Sequence, residues 1–194
     1  MLVDHIGTVF FPDILIFRIL GRFSFPLFIL LLVEGEKHTR HFRQYCLRLL
    51  LLGIVSQPIY QLLFRSTVWN ILFTLLLGLL CLRLVRRFPR WQFLIWIVGA
   101  TIAQVLHLEY QAYGIVMIAL IHHFQVSAFW WAGWITFHLG LLIVAPGFAI
   151  FQLPAIFSPF LLSLATHQQG RKARWFYLFY PSHLFALWLI RYIQ

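Results

Sequence analysis

Four groups of polar side chains interrupt an otherwise apolar sequence, and their residue types suit acid–base or anion chemistry. The first is Asp4-His5. A histidine titrates near neutrality and can take a proton from an amine or a thiol; the same pair would also serve as a polar helix end at a membrane interface. Successive helix positions point about 100° apart, so Asp4 is expected to find a partner other than His5. The second group is Arg18-x-x-Gly21-Arg22, followed by Pro26. Arg18 and Arg22 share a helix face at i,i+4, where two guanidinium groups could pair Asp4 or Asp13 or hold an anionic ligand. The third is Glu34-Gly35-x-x-His38-Thr39-Arg40. Glu34 and His38 are again i,i+4 at a helix end, where the carboxylate tunes the histidine, complements Arg40 and Arg43, or forms ordinary surface pairs. The fourth runs from Gly170-Arg171-Lys172-Ala173-Arg174 to Tyr180-Pro181-Ser182-His183. A histidine well inside an apolar segment, beside a proline, either faces a cavity or is a satisfied structural group. Asn70 with Thr74, and Glu109-Tyr110, are lesser candidates.

Several chemistries find no support. HExxH, paired cysteines and His/Cys clusters at metal spacing are absent, so no metal is expected. GxSxG, Walker and dinucleotide-binding patterns are absent too.

The elements that must position these groups follow from composition. Of 194 residues, 62% are hydrophobic and only 10% charged, where a soluble domain carries about a quarter charged residues. A soluble enzyme, a disordered chain and a disulfide scaffold are excluded. The apolar runs fall at about 1–14, 19–36, 45–64, 69–86, 91–108, 110–124, 128–146, 149–166 and 175–193. They are continuous rather than alternating, which reads as helix, and a helix satisfies its own backbone in lipid. The expected fold is an all-α polytopic membrane helical bundle of eight or nine transmembrane helices, forming one domain over 1–194. The third run is expected to be interrupted at Ser56-Gln57-Pro58. Gly99-x-x-x-Ala103 is a candidate close helix contact. Cys46 and Cys81 read as small apolar side chains.

The net charge of +10 belongs to the loops, not to a nucleic-acid surface. Lys37, Arg40 and Arg43, then Arg83, Arg86, Arg87 and Arg90, then Arg171, Lys172 and Arg174 make up ten of the fifteen basic residues. They fall in alternate loops, which places the N-terminus inside and, with nine helices, the C-terminus outside. No cleavable signal peptide is visible.

Taken in order, the polar groups resemble the TraX family of bacterial membrane proteins. The resemblance is carried by Asp4-His5-Ile6-Gly7, by Arg18-Ile19-Leu20-Gly21-Arg22 with Phe25-Pro26, and by Glu34-Gly35 with His38-Thr39-Arg40. It continues through Tyr45 with Arg48-Leu49, Asn70-Ile71-Leu72-Phe73-Thr74-Leu75 with Gly78, Tyr110 with Tyr113-Gly114, and Phe176-Tyr177-Leu178-Phe179-Tyr180-Pro181 with His183. Three places depart from the family's pattern. Only three residues precede Asp4, where further helical residues are usual; Glu109-Tyr110-Gln111 stands where the family shows Asp-Tyr-Gly; and Gln169-Gly170 replaces Asn-Gly.

The family's namesake is linked to N-terminal acetylation of a conjugative pilin, and the family is similar to a wider group of transmembrane acyltransferases. The resemblance therefore implies a bacterial inner-membrane acetyltransferase with acetyl-CoA as donor and a pilin or another amine or hydroxyl compound as acceptor. It implies catalytic roles for His5, Asp4, Arg22 and His183. Arg18, Glu34, His38, Arg40, Asn70, Tyr110, Arg171, Lys172 and Tyr180 become candidates for binding substrate or cofactor. The basic loops at Arg83–Arg90 and Arg171–Arg174 either hold CoA phosphates or only set topology. A small transporter or channel, or a non-catalytic membrane assembly partner, is the alternative reading.

Overall fold

A computed structural model describes residues 1–164 and 176–193. The helices are α1 (Leu2–Phe10), α2 (Leu15–Arg22), α3 (Ser24–His38), α4 (Phe42–Phe64), α5 (Ile71–Arg87), α6 (Gln92–Val105), α7 (Gln111–His122), α8 (Ala128–Val144), α9 (Pro146–Gln152), α10 (Ser158–Ser163) and α11 (Phe176–Ile193). Two 3-10 turns, Pro89–Trp91 and Leu153–Phe157, complete the regular structure. Among the described residues no strand forms; Trp69 and Leu108 make a single bridge.

The chain is an all-α polytopic membrane protein. Three helical stretches, Leu15–His38, Phe42–Phe64 and Pro146–Ser163, are long and apolar enough to cross a bilayer, and α7 and α8 are shorter apolar helices. Large apolar side chains face outward on several of the helices: Phe129 is 91% exposed and Ile143 87%. Such a surface belongs in lipid rather than in water.

Each apolar run of the sequence becomes helix, with two differences. The second run carries α2 and α3, which meet at Phe23, and the eighth divides into α9, a 3-10 turn and α10 around Pro154 and Pro159. The expected interruption at Ser56-Gln57-Pro58 does not occur, because α4 runs through Pro58. The proline ring lies on the exposed face, while Ser56 and Gln57 point inward. One missing N–H is tolerated in a membrane helix when the rest of the ladder continues.

The chain divides into two compact units, residues 1–31 with 120–168 and residues 32–119 with 169–194. In the first, α1 and α2 form a hairpin closed at Pro12-Asp13, where the Ile14 amide donates to the Phe11 carbonyl at 3.1 Å. Two glycines let the helices touch. A Cβ on Gly7 would lie 2.4 Å from Phe17 Cβ, and one on Gly21 would lie 2.2 Å from Asp4 Cβ. Along α8, at i,i+4 spacing, the Trp130 ring stacks on Trp134 with centroids 5.1 Å apart and the His138 ring lies tilted against Trp134 at 4.7 Å. The Trp134 indole donates to the Ile156 carbonyl at 3.2 Å. It thereby satisfies backbone that the 3-10 turn leaves outside the helical ladder.

In the second unit α4 packs against α5 and α11, and α5 against α6. Leu63, Leu79, Ile115, Met117, Ile118 and Leu184 are fully buried. A Cβ on Gly78 would meet Ile118 Cδ1 at 2.2 Å, and one on Gly99 would meet Cys81 Sγ at 2.6 Å. Gly99 and Ala103 are both buried on α6, the close contact their spacing predicts. Cys81 is a buried free thiol packed as an apolar side chain. Arg191 of α11 donates to the Leu63 carbonyl in the last turn of α4 at 2.6 Å, where a cation complements the unpaired carbonyls of a helix end.

Candidate functional site

In the first unit, Asp4 finds its partners on α2, as helix geometry predicts. Its Oδ1 lies 3.3 Å from Arg22 Nη2 and 3.7 Å from Arg18 Nε. Gly21 stands between the two arginines in sequence and makes the approach possible, since any side chain there would occupy the space of the carboxylate. Asp13, the other candidate partner, lies exposed in the turn. Arg18 also donates to Thr8 Oγ1 at 3.2 Å, Thr8 Oγ1 donates to the Asp4 carbonyl at 2.8 Å, and the guanidinium sits 5.4 Å from the Phe151 ring centre on α9. One carboxylate facing two guanidinium groups leaves formal positive charge, which favours an anion or a developing oxyanion. His5, the next residue on α1, is 5% exposed, and Arg22 is 9% exposed.

The Glu34 group is a solvated helix end. Glu34 pairs with Lys37 at 3.0 Å and lies 3.7 Å from His38 Nδ1, which also contacts the Glu34 carbonyl at 2.9 Å. Lys37, His38 and Arg40 are exposed. The buried acid at this end is one that sequence reasoning passed over. Glu36 is 3% exposed and pairs with Arg83 Nε at 2.8 Å and Arg86 Nη1 at 3.3 Å. The Arg83 guanidinium lies over the Phe42 ring at 4.2 Å. The available signal was spacing: Glu36 is two positions from Glu34, so it faces the opposite side of α3. The Arg83–Arg90 stretch, which forms the end of α5 and the 3-10 turn after it rather than a loop, is therefore not one uniform basic patch. Arg83 and Arg86 are engaged with Glu36, while Arg87 and Arg90 are exposed beside Phe88 and Trp91.

Asn70, Tyr110, Tyr180 and His183 gather within the second unit. Asn70 caps α5 by accepting from the Leu72 amide at 3.1 Å, and its Nδ2 donates to the Gly53 carbonyl at 2.9 Å and to Gln57 Oε1 at 2.8 Å. Thr74 Oγ1 donates to the Glu109 carbonyl at 2.6 Å. His107, Tyr110 and Gln111 are left-handed, with φ of 50°, 65° and 47°. A glycine suits such a backbone, and position 111 is where the resemblance leads one to expect glycine. Tyr180 is buried, with its hydroxyl beside the Ile71 backbone and in electrostatic reach of Glu109, Tyr60 and Tyr110. His183 is 6% exposed, stacks on Phe179 at 4.9 Å and meets the Tyr180 ring edge-on at 5.5 Å. Its Nδ1 contacts the Phe179 carbonyl at 2.6 Å.

Arg171 and Lys172 lie outside the described residues. Among the described residues, no group of three or more His, Cys, Asp or Glu is placed to hold a metal ion.

Comparison with known proteins gives two matches. The family model described as TraX protein matches residues 1–191. The "Probable fimbrial assembly protein FimC, serogroup H1" of Dichelobacter nodosus is 29% identical over 219 residues, covering 96% of this chain and 89% of the relative. No solved structure matches.

Proposed function

The chain belongs to the TraX family, and on that premise we propose that it is a membrane-embedded acetyltransferase serving pilus or fimbrial assembly. Acetyl-CoA from the cytoplasm is the donor, and the acceptor is an amine, a pilin N-terminus among the candidates, or a hydroxyl. The protein lies in the bacterial inner membrane with its N-terminus on the cytoplasmic side. The observation that carries this reading is Asp4 held between Arg18 and Arg22, on the helix that also carries buried His5.

The thioester is already activated, so little chemistry falls to the protein. It must take a proton from the acceptor, orient the attack and stabilise the tetrahedral oxyanion. His5 is the general base, with His183 as the alternative. The acceptor nitrogen or oxygen bonds the acetyl carbonyl carbon, the acceptor's proton passes to the histidine, and as the carbon–sulfur bond breaks the histidine returns that proton to the sulfur, releasing CoA as a thiol. Arg22, fixed by Asp4, faces the developing negative charge, and Arg18 supports the pair from the next turn. Asn70, Tyr110 and Tyr180 are substrate-binding candidates of the second unit taken by itself. Exposed Arg87 and Arg90 hold CoA phosphates by charge-assisted hydrogen bonds, a role proposed for Arg171 and Lys172 as well, and Arg40, Glu34 and His38 are further candidates for binding substrate or cofactor.

The test is CoA thiol release from acetyl-CoA by the protein in lipid nanodiscs with a panel of amine-bearing peptides, for the parent and for His5→Ala. Release that is lost in His5→Ala supports the reading. Equal release in both removes His5 as the base. No release from folded parent protein that also fails to bind CoA removes the enzyme and leaves a small transporter or channel, or a non-catalytic assembly partner.

A further inference from the structure

Arg43 and Arg48 lie on the outward face of α4, and both are exposed. Other basic side chains at this end of the second unit have acids to meet: Lys37 pairs with Glu34, and Arg83 and Arg86 pair with Glu36. No acidic residue occurs between Glu36 and Glu109, so α4 brings no countercharge of its own. Arg43, in the first turn of α4, pairs with no carboxylate among the described residues. Arg48 stands about 7.5 Å further along the helix axis. Its Nε donates to the Gln44 carbonyl at 3.2 Å, which lays the side chain back along the helix toward the end that carries Arg43. The rest of this face is apolar. Leu47, Leu51 and Ile54 are each 53% exposed and Val55 is 60% exposed. Because α4 is long and apolar enough to cross a bilayer, this face meets acyl chains, and an arginine set among them reaches back to the headgroups for its countercharge.

We propose that Arg43 and Arg48 hold the phosphate of an anionic phospholipid whose acyl chains lie along Leu47, Leu51, Ile54 and Val55. Two guanidinium groups at successive depths donate charge-assisted hydrogen bonds to the phosphate oxygens. A free phosphate offers the same oxygens, but only a lipid also covers the apolar face that continues from them. The uncompensated positive charge favours an anionic headgroup over a zwitterionic one. The site goes beyond acetyl transfer and does not depend on it.

The probes are phosphatidylglycerol and phosphatidylcholine with the same acyl chains, each titrated into the full protein in mild detergent, with bound lipid counted by native mass spectrometry. The parent should hold phosphatidylglycerol more tightly than phosphatidylcholine. An arginine beside an anionic headgroup contributes about fivefold in affinity, so Arg43→Gln should weaken the most tightly held phosphatidylglycerol by that factor and the Arg43→Gln, Arg48→Gln double variant by more. Arg65→Gln, which removes an exposed arginine at the other end of the same helix, should keep parental binding. Equal affinity of the parent for the two lipids overturns the proposal, as does a folded double variant with parental phosphatidylglycerol affinity. A loss in Arg65→Gln equal to that in Arg43→Gln also overturns it, because net charge alone then sets the binding. Excess glycerol phosphate should leave the lipid in place; displacement assigns the arginines to a soluble phosphate and overturns the lipid site. If the double variant does not fold, Arg43→Gln against Arg65→Gln decides the matter.

Discussion

Asp4 of α1 and Arg22 of α2 meet at 3.3 Å between a carboxylate oxygen and a guanidinium nitrogen, at the point where Gly21 brings the helices together. The pair fixes α1, and with it His5, against its neighbour. Both side chains are mostly withdrawn from solvent, at 16% and 10% exposure. Removing Asp4 strands the guanidinium charge beside it, which for a buried pair costs about 3–5 kcal/mol, while removing Arg22 leaves Asp4 only its 3.7 Å contact with Arg18. Asp4→Ala and Arg22→Ala should each lower the unfolding midpoint clearly, and the double variant should lose less than the sum of the two. Strict additivity in that cycle would show that the pair contributes no coupling.

Gly21 supplies a separate test of the same contact. Gly21→Ala and Gly7→Ala force a methyl into occupied space and should destabilise by about 1–3 kcal/mol. Gly133 and Gly140 on α8 have nothing within 4 Å, so alanine there should cause no loss. Thermal unfolding of the four variants in one detergent makes the comparison. Equal behaviour of all four contradicts the close α1–α2 packing.

The two acids near the end of α3 should behave differently. Glu34 pairs on the surface with Lys37, a contact worth about 0.2–1 kcal/mol. Glu36 is buried against Arg83 and Arg86, and its loss leaves two arginines beside an empty position. Glu36→Ala should destabilise several-fold more than Glu34→Ala in chemical denaturation. A smaller effect at Glu36 would mean that water replaces the pair.

These contrasts show what the sequence made legible. Apolar runs located the helices within a few residues, because burial in lipid demands long uninterrupted hydrophobic stretches. The i,i+4 spacing of Arg18 and Arg22 brought both onto Asp4, since that spacing fixes a shared face whatever the tertiary fold. Glu36 was hidden because its partners lie about fifty residues away, and single-sequence spacing carries no long-range pairing. Proline was ambiguous for a physical reason. Pro58 sits on an exposed face of an unbroken helix, whereas Pro154 and Pro159 lie in the stretch where the eighth run gives way to a 3-10 turn. A proline removes a donor in both settings, and the surrounding packing decides whether the helix continues.

Asn70 joins the cap of α5 to α4 through the Gly53 carbonyl and Gln57. Asn70→Ala removes the cap, worth about 0.5–2 kcal/mol, and leaves buried polar groups unmet at a further cost of about 1–3 kcal/mol. Asn70→Ser should restore the cap and part of the stability, because serine accepts from the α5 amide yet does not reach Gly53. Equal stability of Asn70→Ala and Asn70→Ser would mean that the cap contributes little and the α4 contacts carry the effect.

The central claim, that this chain transfers an acetyl group with His5 as base, is tested most directly by the product. Protein in lipid nanodiscs is supplied with radiolabelled acetyl-CoA and amine-bearing peptides, and label on the peptide is counted after separation. The account requires label on the peptide with the parent and background counts with folded His5→Ala. Label transferred equally by both proteins, or no label with folded parent protein that also fails to bind CoA, contradicts it.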